Sequence, residues 1–290
     1  MRHTGPMSAA PSRELSRAIE AFAGQVYFAP ECHRAYAALG FRPSPGKSGA
    51  VERPDGPAYF CSRGAALGQA PGEVIAATFG VFNPAVVVPA VQYGWTLTDA
   101  ASLRAARAQG SLAQLRRVLG AGPDGLDRAL VLLRRAVAGL AVAGKPLFAG
   151  LVAEGLGEDP LAQAWQLADQ LREYRGDGHV NAWAAAGFDG PQIGLLTELY
   201  RGLAPRSYVR SRAFSDDDLD AGEARLAERG LAHGGVITEA GQAAREAIET
   251  ATDLVCAPIV ANLGDDLGEL VELVGGWSQQ LVDAGAFPKQ

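Results

Sequence analysis

The densest run of chemically capable side chains is Arg172-Glu173-Tyr174-Arg175-Gly176-Asp177-Gly178-His179. At helical spacing Arg172, Arg175 and His179 share one face. Guanidinium groups hold carboxylate, sulfate or phosphate through charge-assisted hydrogen bonds, and an imidazole of ordinary pKa, about 6.5, exchanges a proton near neutrality. The run therefore reads in two ways. It is either an anion-binding, proton-transferring site or a polar network between helices or subunits. A second group, Tyr27-Phe28-Ala29-Pro30-Glu31-Cys32-His33, sets Glu31 behind two aromatic rings. Burial there would raise the carboxyl and make Glu31 a general base, and capping of the helix that Pro30 starts is the other role open to it. Arg63 and Asn83 are polar residues bounded by apolar sequence, suited either to orienting a ligand or to satisfying backbone at a helix break.

The candidate site is thus Glu31, Asp177 and His179 for proton transfer, with Tyr27, Arg63, Asn83, Arg172 and Arg175 holding a small molecule. Recognised catalytic patterns are missing. There is no G-x-S-x-G elbow, no phosphate-binding Walker loop and no HExxH, and the glycines of Arg-Gly-Asp-Gly-His do not follow a strand as a dinucleotide fingerprint requires. His33 and His179 with Cys32 or Asp177 make no known ligand set, so neither a metal nor a cofactor is expected.

The residues that must position these groups are mostly helical in pattern. The chain has 290 residues, 48% of them hydrophobic, enough for a substantial core. With 26 Lys and Arg against 32 Asp and Glu the net charge is −6, which leans against nucleic acid while leaving room for a local basic patch. Cys32, Cys61 and Cys256 are odd in number and far apart, as suits a reducing cytoplasm. The first residues lack the apolar core of a secretory signal, and no window of about 20 uncharged apolar residues follows. The expectation is a cytoplasmic protein with no membrane span and a disordered tail over residues 1–12.

Ser12 or Ser16 is placed to cap a first helix running towards Gly24, and Pro30 to Gly40 bounds a second. Residues 42–58 hold four prolines and three glycines and read as a loop. Pro71 and Glu73 start a helix that Asn83 and Pro84 interrupt. Thr98 to Leu119 reads as a helix-loop-helix with basic faces, Asp124 to Gly144 as an amphipathic helix, and 160–174 as a helix with Leu161, Ala164, Trp165, Ala168 and Leu171 on one stripe. The two glycines at 176 and 178 would cost a helix about 2 kcal/mol and so signal a bend or the close approach of another backbone. From Gly190 three short helices, a turn flanked by a strand pair at HGGVITEAGQ and a long helix from Gln242 to about Leu263 make the winged-helix order. The predicted fold is mainly α: a helical domain over 13–185, with a diverged winged-helix-like half as one reading of it, then a winged helix-turn-helix domain with a two-stranded wing over 186–290.

Leu226, Arg229, Gly230, Leu231, Thr238 and Gly241 resemble the wing and following helix of MarR-type transcriptional regulators. Over nearly the full length, VYFAPE at 26–31, VIAATFGVFNP at 74–84 and LREYRGDGHVNAWAAAGFDG at 171–190 resemble an actinobacterial helix-turn-helix family associated with natural-product gene clusters. A histidine that the family commonly carries before the Tyr-Phe-Ala-Pro-Glu segment is replaced here by the Ala23-Gly24-Gln25 neighbourhood. The resemblance implies a winged helix and a part in secondary metabolism.

A helix-turn-helix reads DNA with the start of its second helix. Here that start is Ser215-Asp216-Asp217-Asp218, with Asp220 and Glu223 following. These carboxylates suit a capped helix terminus, where each contributes about 0.3–1 kcal/mol against the dipole, but they repel phosphate. Arg206, Arg210 and Arg212 are the cations at hand to compensate. DNA is therefore not the expected partner. The leading expectation is a cofactor-independent enzyme performing acid-base chemistry, elimination or ring closure, on an anionic small molecule. The alternatives are a MarR-like ligand-responsive regulator and a non-catalytic subunit, with a homodimer or a heteromeric partner protein in view.

Overall fold

The computed structural model describes residues 10–289. The expected disordered tail lies mostly outside them, and its last two residues already belong to the first helix. Helix α1 (Pro11–Gly24) opens on Pro11 with Ala10 before it and no side-chain cap, so neither Ser12 nor Ser16 caps it. The Ser12 hydroxyl is committed elsewhere, donating to Asp253 Oδ1 at 2.7 Å. Helix α2 (Pro30–Ala38) stops before Gly40, which takes a left-handed φ of 99°. The proline-rich stretch is not all loop. It carries a hairpin, β1 (Lys47–Ser48) against β2 (Val51–Glu52), before α3 (Gly56–Gly64).

Helix α4 (Gly72–Phe79) and α5 (Pro84–Leu97) meet at Asn83, whose side chain caps α5 by accepting from the Ala85 amide. The helix-loop-helix predicted over 98–119 is instead one helix, α6 (Ala100–Leu119). Gly110 is a packing notch: a Cβ there would lie 2.6 Å from Cys32 Cα, so its absence lets α2 settle on α6. Helix α7 (Leu126–Val137) is shorter than its predicted span. It buries the amphipathic stripe Leu126, Ala129, Leu132, Leu133 and Ala136 before Ala138 turns to extended backbone. Helix α8 (Pro146–Glu154) then leads to α9 (Pro160–Ala185), which runs unbroken through Gly176 and Gly178. A Cβ on Gly178 would meet Val255 Cγ1 at 2.7 Å, so of the bend or close backbone approach expected there the structure shows a close approach, made by a neighbouring side chain.

After α9 come α10 (Gly190–Arg201), a 3₁₀ turn at Val209–Arg212, α11 (Asp216–Glu228), the hairpin β3 (Ala232–His233) with β4 (Val236–Ile237), α12 (Glu239–Leu263) and α13 (Leu267–Asp283). The protein is mainly helical with two small two-stranded sheets. Side-chain caps at Asp159, Asp189, Ser215 and Thr238 start four of these helices where the sequence places polar residues before apolar periodicity.

Two cores form. The larger packs α1 to α9 around Phe22, Leu103, Leu132, Trp165 and Leu171, and it also takes in Cys256, Ile259 and Leu263 of α12 and Leu270 to Leu281 of α13. The smaller joins Trp183, Phe188, Ile193, Leu196, Val209, Leu219, Leu226 and Ile248. Helix α13 and the C-terminal part of α12 thus pack on the N-terminal half, while Ile248, nearer the start of α12, joins α10 and α11 in the smaller core. No helix among the described residues is long and apolar enough to cross a membrane.

Candidate functional site

The interior of the helical half holds a cluster of charged side chains in which α9 supplies Asp169, Glu173 and Arg172, and its neighbours α3 and α6 supply Arg63 and Arg107. Arg63, from the end of α3, grips Glu173 with two bonds, Nε to Oε1 at 2.9 Å and a terminal nitrogen to Oε2 at 2.7 Å. Arg172 adds a third at 2.8 Å, and the Tyr27 hydroxyl lies 3.4 Å from the same oxygen. Burial alone would raise the Glu173 carboxyl, but Arg63 and Arg172 more than offset it and hold it well below the usual carboxylate range. One turn earlier on α9, Asp169 Oδ2 accepts from Arg107 of α6 at 2.9 Å. Arg107 stacks between the rings of Trp165 and Tyr27, at 4.9 and 5.6 Å. Burial, with the nearby Glu173 charge, raises the Asp169 carboxyl in spite of this pairing; its second oxygen has no partner, and neither does Arg107 Nε. Both residues line a cavity of about 30 Å³ with Arg63, Glu154 and Gln170, room for a water-sized group.

Tyr27, Arg63 and Arg172 are therefore brought together, and the partners that sequence reasoning missed are Arg107 and Asp169. The one available signal was the pair of charged residues on otherwise apolar helical faces. The remaining candidates are dispersed. Arg175 and Asp177 border different clefts, neither of them the one that Arg63 lines. Glu31 sits at the start of α2 with Arg117 Nε at 2.8 Å. Burial would raise its carboxyl, but Arg117 and the helix's own backbone outweigh that and lower it, opposite to the shift expected of a general base.

His179 does not have the ordinary imidazole pKa expected for proton transfer. Burial, helped by Arg245, lowers it to about 4, so the ring is neutral at pH 7. Its Nδ1 lies 3.0 Å from Thr252 Oγ1, and Thr252 already donates to the Ile248 carbonyl at 2.8 Å, so the ring is the donor. Arg175, one turn before, turns to α12 and binds Glu249 at 2.6 Å. These two residues serve a polar seam between α9 and α12, whereas Arg172 belongs to the buried cluster. Asp177 is 3% exposed and accepts from the Phe148 amide at 3.0 Å, which caps α8 from a distance. Burial pushes its carboxyl up to about 7.

Asn83 holds backbone rather than a ligand. Its amide donates to the Arg212 carbonyl at 2.9 Å, and its Nδ2 to the Ala213 carbonyl at 3.1 Å, with Asp218 Oδ2 at 3.5 Å. Arg212 lies over the Phe82 ring at 4.8 Å. The turn between α4 and α5 is thereby latched to the segment that feeds α11.

The start of α11 is a capping box in which Ser215 and Asp218 satisfy each other's backbone amides. All three arginines expected to offset its acids are already engaged. Arg206 binds Asp220 and Glu223, Arg210 binds Asp216 at 2.7 Å, and Arg212 is stacked between Phe82 and Tyr208. The hairpin tip, Gly234-Gly235, carries no cation, and residues 186–290 contain 17 Asp and Glu against 8 Lys and Arg.

The residues that resemble regulator wings have local structural work. Arg229 bonds the carbonyls of Ala186 and Gly187, and Thr238 caps α12 through the Gly241 amide at 3.0 Å. A Cβ on Gly241 would lie 2.0 Å from the Leu231 carbonyl oxygen, so only glycine lets α12 start against the hairpin. Among known proteins, a family model described as a helix-turn-helix family matches residues 12–288. No curated protein and no solved structure matches the chain.

Proposed function

The chain belongs to this helix-turn-helix family, and from that premise we propose that it is a ligand-responsive regulator. Its helical half senses a small molecule, and α10 to β4, arranged as a winged helix, form the output module. The observation that carries this reading is the latch: Asn83 binds the backbone of Arg212 and Ala213 immediately before α11. A ligand that shifts α4 or α5 moves the start of the helix that would enter the major groove. A place in natural-product biosynthesis accords with the resemblance of segments 26–31, 74–84 and 171–190.

In the latched arrangement the module offers DNA little. Its arginines are paired or stacked, and few phosphates would be neutralised, so the affinity should be low and its salt dependence shallow. The test is fluorescence anisotropy at low salt on DNA from upstream of the protein's own gene. Asn83→Asp keeps the cap on α5 but replaces the donor to Ala213 with a carboxylate facing Asp218. Wild-type protein should bind weakly and Asn83→Asp several-fold more tightly. Absence of binding by both proteins would overturn the regulator reading.

A second reading is favoured by the engagement of Arg206, Arg210 and Arg212. In it the winged helix is a scaffold that contacts protein rather than DNA, and the helical half is a cofactor-independent acid-base enzyme or supports one. The dispersal of Glu31, Asp177 and His179 and the neutrality of His179 weigh against the enzyme part.

A further inference from the structure

The cleft between α4, α9 and the turn entering α8 has a volume of about 440 Å³, within the range of small-molecule pockets. Val74, Ala77, Pro146 and Val180 form apolar walls, and its two ionisable groups, Glu73 and Asp177, are both acids. Lys145, beside Pro146 in sequence, turns its ammonium onto the Tyr174 ring at 4.7 Å and donates to the Ala143 carbonyl. We propose that this cleft binds a small hydrophobic primary amine, its ammonium on the Asp177 carboxylate and its alkyl body along the apolar walls.

The sign of charge selects this class. An anionic ligand would meet two carboxyl groups with no lining cation. A neutral one would leave an ionised Asp177 uncompensated in a site where desolvation disfavours its charge. An ammonium supplies the missing partner and makes a charge-assisted hydrogen bond.

The cleft is also mechanically joined to the latch. Val180 lines it, and a Cβ on Gly80 would lie 3.0 Å from Val180 Cγ1 and 2.7 Å from Trp183 Cζ2, so the end of α4 rests directly on this part of α9. Gly80 leads into the turn that Asn83 ties to Ala213. The amine is in this respect the effector of the regulator proposed above, and that consequence rests on that reading.

The site itself is tested without DNA. Calorimetry on the full chain compares octylamine, octanol and octanoate, each below its micellar concentration. Octylamine should bind at least about tenfold more tightly than octanol, and octanoate should not bind. Asp177→Asn, which retains an acceptor for the Phe148 amide, should bring octylamine to the level of octanol. Ala77→Trp, at an exposed position on the wall, should abolish binding of both. Equal binding of octylamine and octanol, or an unchanged octylamine affinity in folded Asp177→Asn, would overturn the assignment. Amine binding that leaves DNA affinity unchanged in a protein that does bind DNA would overturn the effector role alone.

Discussion

Asn83 reaches across the two cores to hold Ala213, donating from Nδ2 to its carbonyl oxygen at 3.1 Å, while Ala213 itself stands in the left-handed region at φ 64°. An alanine in that region costs about 1–2 kcal/mol. Strain therefore sits at one of the contacts that join the α4–α5 turn to the approach of α11. Ala213→Gly should stabilise the protein by about 1 kcal/mol in chemical denaturation. An unchanged or lower stability would mean that the backbone there is held by something other than local geometry.

Loss of the latch should be visible as local motion. In Asn83→Asp, amide hydrogens over 212–219 should exchange faster while those of α9 keep their protection, because the smaller core remains packed around Leu196 and Leu219. Uniform acceleration across both cores would show that Asn83 supports the whole fold.

Glu173 is buried against two partly buried arginines, so Glu173→Gln should destabilise the protein strongly, by about 3 kcal/mol, chiefly through the uncompensated charge on Arg63, since Arg172 keeps Glu20. Replacing Arg63 and Glu173 together by apolar residues should cost much less than Glu173→Gln alone. Denaturant titration of the three variants separates these outcomes.

Asp177 and His179 pull the pH dependence of stability in opposite directions. Asp177, raised from 3.8 to about 7, contributes most below pH 3.8, and its contribution is lost as the pH rises through about 7. His179, lowered from 6.5 to about 4, contributes fully above pH 6.5 and loses that contribution as the pH falls through about 4. Asp177→Asn should therefore raise the unfolding temperature at pH 8 by a few degrees, about 1–2 kcal/mol, and raise it little at pH 4. His179→Gln should flatten the loss of stability between pH 6.5 and pH 4. Thermal unfolding of the variants across pH 4 to 8 checks both signs.

Much of the helical layout was legible along the chain because its signals are short-range. Pro30 marks a helix start through its fixed φ, Asn83 and Ser215 do so through bonds to residues two or three positions away, and the Leu161 to Leu171 stripe reports a buried face within one helix. The same locality explains the errors. The loop expected within 98–119 is absent because Gly110 serves as a notch for Cys32, and the close approach allowed for at Gly178 is made by the Val255 side chain, both partners that lie far away in sequence.

What the sequence alone determined was a mainly helical chain and an acidic start to α11, with Arg63, Arg172 and Tyr27 singled out as groups to hold a small molecule. Their partners were decided only in three dimensions. Arg63 finds Glu173 across 110 positions, and Asn83 finds Ala213 across 130. Pairings at such separation follow from how whole helices pack, and the burial they create then moved Asp177 up and His179 down, away from the values their residue types imply.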